Sequence, residues 1–308
     1  MLKATGGTPI HGLAPDREPV SSLTPQRRHD AHIALWLAWP TLALVGMVAI
    51  PFILLLRISL AAPDPSGLWR SVLTLEAYEE LLNREFAGAL LYSLGVALLV
   101  AAITLAFGFP LTYLITRMKR RLQVMWLVFL LVSLSLSDVL NAFSWQLMLS
   151  KHGGLAGLLV LLGILSRPES LTPSNGAVWA SLVYGILPFT VMTLYPSLSQ
   201  LAPEVVEAAR TLGASPLRAF RTVVIPMTWQ PAVAAFVISA VLTLGAYVSP
   251  LVLGRPQSWT LAVLIGNAAL AGHDVPRAAA MSVLLLSAVA LFGAGIVWVA
   301  RQRRGPSR

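Results

Sequence analysis

The sequence has no cysteine, only three lysines and little charge of either sign: 11% of its 308 residues are Asp, Glu, Lys or Arg, against about a quarter in ordinary soluble domains. Each scarcity excludes something. Without cysteine there is neither a disulfide nor a thiolate metal site, although reducing and oxidising compartments tolerate such a chain equally. With 56% hydrophobic residues and a mean hydropathy of +0.75, there is too little polar side chain to clothe a soluble globule. The lysines, Lys3, Lys119 and Lys151, follow Leu2, Met118 and Ser150. None therefore completes the Gly-Lys-Ser/Thr loop that cradles nucleotide phosphates. A His-Glu-x-x-His zinc pattern is also missing, and His11, His29, His32, His152 and His273 lie outside the apolar blocks, where a buried catalytic base would sit. His273 beside Asp274 reads as a solvated pair. Catalysis is disfavoured, and no cofactor or metal ligand set is expected.

What the chain does have is long apolar blocks rather than alternating positions, which favours helices in lipid over an outer-membrane barrel. Blocks at 33–56, 87–116, 122–149, 177–198, 232–253 and 278–300 each exceed the roughly 20 residues needed to cross about 30 Å of hydrocarbon. The expectation is an all-α polytopic integral membrane protein with about six transmembrane helices, the membrane domain occupying residues 31–300. The first block is longer than a signal-peptide core and should remain as an anchor. Residues 1–30, with four prolines, three glycines and no apolar period, read as a disordered tail. Residues 301–308 form a basic tail. Two shorter stretches, 155–165 and 259–271, are too short to cross and suit helices at the outer interface or over the bundle mouth.

The net charge of +9 is distributed unevenly. Fifteen of the 22 basic residues fall in the N-terminal tail (Lys3, Arg17, Arg27, Arg28), the second loop (Arg117, Lys119, Arg120, Arg121), the fourth loop (Arg210, Arg218, Arg221) and the C-terminal tail (Arg301, Arg303, Arg304, Arg308). The alternate loops hold the other seven: Arg57, Arg70, Arg84, Lys151, Arg167, Arg255 and Arg277. The richer side is cytoplasmic, and both termini lie on it. The surplus is thus membrane topology facing lipid headgroups. It lacks the basic and aromatic interleaving that stacks nucleic-acid bases, so no nucleic-acid partner is expected.

The fourth loop, 200–231, is long for a plain connector. Pro203 suits a first helical turn, with Glu204 and Glu207 placed where the helix dipole favours acid. Gly213 is placed as a left-handed stop. Ser215-Pro216 then reads as a cap opening a second short helix through Phe220 to Val224, before Pro226 restarts the chain. Such a helix, glycine turn and helix on a cytoplasmic face presents a compact knob to another protein, or alternatively an amphipathic hairpin to the headgroups.

The run Glu207-Ala208-Ala209-Arg210-Thr211-Leu212-Gly213-Ala214-Ser215, followed by Ile225-Pro226, resembles the EAA loop of binding-protein-dependent ABC importer permeases. Leu90 to Leu94, Gly108-Phe109-Pro110-Leu111, Leu149 to Leu155, Leu187-Pro188-Phe189 and Ser249 to Gly254 agree with that pattern. The resemblance covers about residues 86–299 and is closest to the spermidine/putrescine-type subunits, which implies a polyamine or a related small cationic or amino-acid-like solute. It implies a type I (MetI-like) ABC importer permease fold in a bacterial inner membrane. It also implies a coupling role for Glu207, Ala208, Ala209, Arg210, Gly213, Ala214 and Ser215 against cytoplasmic ATPase subunits, a second permease subunit, homologous or identical, and a periplasmic solute-binding protein. The acidic first outer loop, with Glu76, Glu79, Glu80 and Glu85, is a candidate contact for that binding protein. One departure is local. The polyamine subgroup carries a proline and then an arginine ahead of an aromatic-x-Trp in the third span, whereas this chain has Ser133 to Asp138 and then Asn141-Ala142-Phe143-Ser144-Trp145. The solute therefore stays open between a polyamine or similar cation and an opine, amino acid, thiamine or inorganic ion.

Polar residues within the blocks are where a pathway would show. Asp138 sits near the middle of the third block, where a carboxylate costs roughly 2.5–3.5 kcal/mol on an insertion scale, so it should face the bundle interior, water or a partner. Asn141, with the serines around it, and the aromatic side chains of Trp145, Tyr184 and Tyr247 are candidates for the same pathway. Interhelical hydrogen bonding is the competing structural role. A self-sufficient secondary transporter or channel using Asp138 is the rival class, and it would have no need of the 207–215 element.

Overall fold

The computed structural model describes residues 24–64, 69–152, 154–163, 166–167, 169–272 and 274–302. The chain divides into two units, residues 1–54 and 55–308. The first consists, where described, of most of one helix, α1 (Thr24–Ser59), with Pro40 and Pro51 inside it. Its portion from Trp39 onward is long and apolar enough to cross a membrane.

The second unit opens with a short antiparallel hairpin, β1 (Ala61–Pro63) and β2 (Trp69–Leu73), and the small helix α2 (Glu76–Leu81). The Tyr78 hydroxyl ties α2 to the end of α1 by donating to Ser59 Oγ at 2.8 Å. Then follow α3 (Arg84–Arg117), α4 (Arg120–Leu134), α5 (Asp138–Leu149), α6 (Gly154–Leu161) and α7 (Asn175–Ser199). The caps explain where the two longest of these begin. Asn83 Oδ1 accepts from Phe86 N at 2.7 Å and Ser174 Oγ accepts from Ala177 N at 3.2 Å, each satisfying an orphan amide of a first turn. The helices of the 200–231 loop, α8 (Pro203–Thr211), α9 (Pro216–Ala219) and α10 (Ile225–Met227), lead into α11 (Trp229–Gly245). The chain finishes with α12 (Val248–Leu253), α13 (Leu261–Leu270) and α14 (Val275–Gln302).

Helices α3, α7 and α11 pack together as the centre of this unit. Their contact faces are small or hydroxylated, which lets backbones approach in a medium that offers no hydrophobic drive between helices. Ala97 and Ala101 of α3 and Ala240 of α11 are fully buried. A Cβ added to Gly108 would stand 3.0 Å from Thr190 Cγ2, so any larger residue there would have to push α7 side chains aside by a few tenths of an ångström. The Thr190 and Ser239 hydroxyls share a hydrogen bond of 2.9 Å between α7 and α11, and Ser181 and Ser249 share one of 3.0 Å between α7 and α12. Ser93 Oγ of α3 accepts from Leu261 N at 2.7 Å and so starts α13. The outward faces carry bare Leu91, Phe107 and Leu291, an apolar surface that suits lipid.

Among the described residues four helices are long and apolar enough to cross a membrane, and six spans result if each of two bent pairs counts as one. Two of the expected spans are interrupted. The block 122–149 is two helices, with the run from Asp138 turned 94° from Arg120–Leu134. The break falls at Ser135-Leu136-Ser137, where Ser135 Oγ donates back to Leu131 O at 3.1 Å and Ser137 Oγ accepts from Val139 N at 3.3 Å. Serine hydroxyls here compete with the helical ladder and recapture the chain as a new cap. Asp138 therefore opens α5 rather than lying in the middle of a straight span. The block 232–253 also divides, at Ala246 and Tyr247, because Pro250 has no amide to give the Ala246 carbonyl and its ring crowds that carbonyl. Pro110 and Pro188, by contrast, lie inside the continuous helices α3 and α7.

The stretches 155–165 and 259–271 hold α6 and α13, with residues 164 and 165 outside the described residues. Of the expected 1–30 tail, residues 1–23 lie outside the described residues and Thr24–Asp30 are helical turns of α1. Residues 303–308 of the C-terminal tail, and His273, are likewise outside them.

Candidate functional site

Two features of the second unit carry the candidate residues. One is the loop 200–231, folded as the sequence anticipates: Pro203 opens α8 and Gly213 closes it at φ +87°. Ala214 N donates to Ala209 O at 3.1 Å and Gly213 N to Arg210 O at 2.9 Å, the paired bonds of a glycine-terminated helix. Ser215 then caps α9, accepting from Arg218 N at 3.3 Å, with Pro216 in the first position. A π-helical turn, Phe220–Val224, joins α9 to α10. A break at Thr228 turns the chain by 78° into α11.

One side of this element is anchored. Val206, Ala219 and Val224 are buried against Phe109 of α3, Leu194 and Leu198 of α7, and Ala232 and Ala235 of α11. The Phe220 ring meets Phe109 edge-on at 5.5 Å between centroids and Tyr113 at 5.2 Å, and the Arg117 guanidinium lies 5.1 Å above the Tyr113 ring. Nearby, Gln123 Nε2 donates to the Met118 and Thr116 carbonyls at 2.8 and 3.1 Å, while its Oε1 accepts from Tyr195 OH at 3.1 Å. That amide fastens the α3–α4 turn to α7. The other side is bare: Glu207, Ala208, Arg210, Gly213 and Ser215 are exposed, whereas Ala209 and Ala214 are half-buried on the anchoring side. Leu212, at the tip, is 89% exposed, and Leu217 is exposed beside it. In the sequence Leu212 is only one residue of the 207–215 run, and nothing local signals that it protrudes.

The second feature is a cavity of about 550 Å³ bounded by the two helix breaks. Ser133, Asp138 and Asn141 come from the α4–α5 break, Ser181, Tyr184 and Phe189 from α7, and Gly245, Tyr247 and Ser249 from the α11–α12 break. Asp138, Asn141, Tyr184 and Tyr247 are thus brought together across 109 residues of sequence (138 to 247). Trp145 does not line the cavity. It stands behind Tyr184, edge to face at 6.1 Å, and buttresses that ring. The Tyr184 hydroxyl accepts from Ser133 Oγ at 3.3 Å. Asn141 approaches α7 where Gly185 leaves room, its Nδ2 being 3.5 Å from where a Cβ would stand.

Asp138 is exposed toward this space and has no ion-pair partner among the described residues. It is the single charged side chain of the lining. Ser181 and Ser249 are already bonded to each other, so the polar groups left to meet a solute are chiefly acceptors and hydroxyls. The volume falls within the roughly 300–1,000 Å³ of small-molecule sites. Among the described residues no group of His, Cys, Asp and Glu is arranged to hold a metal ion.

A helical membrane unit with a polar cavity at broken helices and a bare helix-turn-helix on one loop defines a class of protein, the solute permeases. Residues 106–304 match the family described as "Binding-protein-dependent transport system inner membrane component". The spermidine/putrescine transport system permease protein PotB of Escherichia coli (strain K12) is 31% identical over 247 residues, covering 79% of this chain and 88% of PotB. PotB of Haemophilus influenzae is 26% identical over 259 residues, covering 84% and 89%. The sulfate transport system permease protein CysT of Salmonella typhimurium is 33% identical over a shorter stretch of 110 residues, 35% of this chain and 40% of CysT. Among solved structures, a bacterial ABC transporter involved in the import of the acidic polysaccharide alginate has a chain of the same fold. Its TM-score is 0.65 at 15% identity, covering 91% of this chain and 100% of that one. A bacterial alginate ABC transporter in complex with an alginate pentasaccharide-bound periplasmic protein gives 0.67 at 15% identity, covering 90% of this chain and 95% of that one. The chain belongs to the binding-protein-dependent inner-membrane components, and it is a multi-pass permease subunit of an ABC importer.

Proposed function

We propose that this permease forms part of the pathway for a small organic cation of the polyamine class, driven by ATP hydrolysed on partner subunits. The observation that carries the solute class is the cavity, where Asp138 is the single charge and two tyrosine rings stand beside it. A carboxylate attracts an ammonium, and aromatic faces add about 0.5–2 kcal/mol for each cation they cover. An anion such as sulfate or a uronic acid would meet an unpaired like charge there, with no arginine or lysine in the lining to receive it. The similarity to PotB over most of the chain supports the same solute class.

The 207–215 element is the docking knob for an ATPase. Its bare face mixes Glu207 and Arg210 with the protruding Leu212, so a groove would bury an apolar tip inside a charged rim. Motion received there passes into α3 through the Phe220 contacts with Phe109 and Tyr113. In this arrangement both termini are cytoplasmic, a second permease completes the pathway, and a periplasmic binding protein delivers the solute.

The test is reconstitution of the chain with its partner permease and ATPase in proteoliposomes, followed by uptake of labelled spermidine, putrescine and sulfate. ATP-dependent uptake of the amines, and none of sulfate, is expected. Gradient-driven uptake by this chain alone would instead make it a secondary transporter. In the same system Phe220→Ala removes two ring contacts that aromatic pairs make worth about 1–3 kcal/mol together. Uptake per ATP hydrolysed should fall while hydrolysis persists, and parallel loss of both would mean that the rings only hold the fold.

A further inference from the structure

The two tyrosines of the cavity are held in different ways. Tyr184 is fixed by Ser133 and by the Trp145 ring. Tyr247 lies at the α11–α12 break, and among the described residues no hydrogen-bond partner holds its hydroxyl. What faces its ring from behind is α13, at Gly266. A Cβ built on Gly266 would overlap Tyr247 Cε2 and stand 3.1 and 3.2 Å from Cζ and Cδ2. Gly266 lies within the helix Leu261–Leu270, where glycine costs about 1 kcal/mol relative to alanine, so its backbone freedom gives no reason for it. The ring needs the space.

We infer that Gly266 is a positioning residue that sets how far the Tyr247 ring reaches into the cavity, and through that ring the width the cavity offers a solute. Any side chain at 266 must move the ring by about 1 Å or more to regain carbon–carbon contact distances of about 3.5–4.0 Å. The way open to it is the cavity that Tyr247 already lines. The helix α13 cannot retreat freely, because its first amide is held by Ser93 Oγ and Leu261 and Val263 are fully buried. The short helix α13 therefore acts as a fixed backstop for a ring that would otherwise be free to rotate. The width it sets matters to transport only through the cavity proposed above as the pathway.

The absence of native cysteine gives a readout independent of the solute. With Leu242→Cys as a single thiol in the cavity lining, the full chain in membrane vesicles is labelled with methanethiosulfonate-ethylammonium. Gly266→Ala should slow labelling about tenfold, inside the up to hundredfold cost of a 1 Å misplacement at a reacting site. Adding Tyr247→Ala should restore the rate. Unchanged labelling in Gly266→Ala, or slowing that Tyr247→Ala leaves in place, would overturn the inference. Should Gly266→Ala fail to insert, Tyr247→Trp adds ring bulk against the same backstop while leaving the sequence of α13 unaltered, and should slow labelling as well; an unchanged rate there would equally refute it. Spermidine uptake by the reconstituted complex is then measured for the same variants. Restricted labelling together with no spermidine uptake by the wild type would defeat the polyamine assignment and leave the Gly266–Tyr247 relation standing.

Discussion

Replacing Gly213 with valine is expected to abolish ATP-driven uptake while the chain still inserts in the membrane. At φ +87° the residue sits in the left-handed region, where an L side chain costs roughly 1–2 kcal/mol and a β-branched one more. Nothing lies within 4 Å of a Cβ at that position, so the penalty is one of backbone conformation and not of crowding. The turn would open, the bonds from Ala214 N to Ala209 O and Gly213 N to Arg210 O would be lost, and Leu212 and Ser215 would no longer share one face. The buried side of the loop, around Val206, Ala219 and Val224, is untouched. Membrane insertion and thermal unfolding in detergent should therefore change little, whereas ATPase co-purification and uptake should disappear. Glu207→Arg, on the exposed face, should do the same by charge reversal with no backbone effect. Loss of folding in both variants would mean that the loop is structural and not a docking surface.

The second large effect is expected at Asp138. Substitution by asparagine keeps the shape of the side chain and removes its charge. A hydrogen bond to a charged group contributes about 1.5–3 kcal/mol, which corresponds to about a 10- to 150-fold loss in spermidine uptake at about 1.4 kcal/mol per decade. Asp138 also stands in the first turn of α5, where an acid stabilises the helix by about 0.3–1 kcal/mol. That structural role predicts only a small drop in thermal stability. The two roles separate cleanly: uptake at the wild-type rate in both Asp138→Asn and Asp138→Leu would assign the carboxylate to helix capping. Partial recovery in Asp138→Glu would fit a solute contact.

Much of the 200–231 loop was legible in the sequence because its signals are local. Proline at a first turn, glycine at a left-handed stop and Ser-Pro at a cap each act through the backbone of their own few residues. The same holds for the apolar blocks, since length and hydropathy set whether a segment can cross a bilayer. The third and fifth blocks misled because apolar content measures only the preference for lipid. It does not register where serine hydroxyls or Pro250 interrupt the ladder inside an apolar stretch. Asp138 stood out in the sequence as a carboxylate in an apolar block, although its place at the opening of a helix was not visible.

The sequence by itself thus determined the medium in which the chain folds, the approximate number of spans and the local form of the 200–231 loop. All of these depend on composition or on residues close together in the chain. Only the tertiary structure decided that Asp138, Tyr184 and Tyr247 face one space and that Trp145 stands behind it. It alone decided that Leu212 protrudes and that Gly266 supports a ring 19 positions away, 247 to 266. These relations arise from the close packing of α3, α7 and α11 through small residues and from the two helix breaks beside them. No periodicity in a single segment encodes which face of one helix meets which face of another.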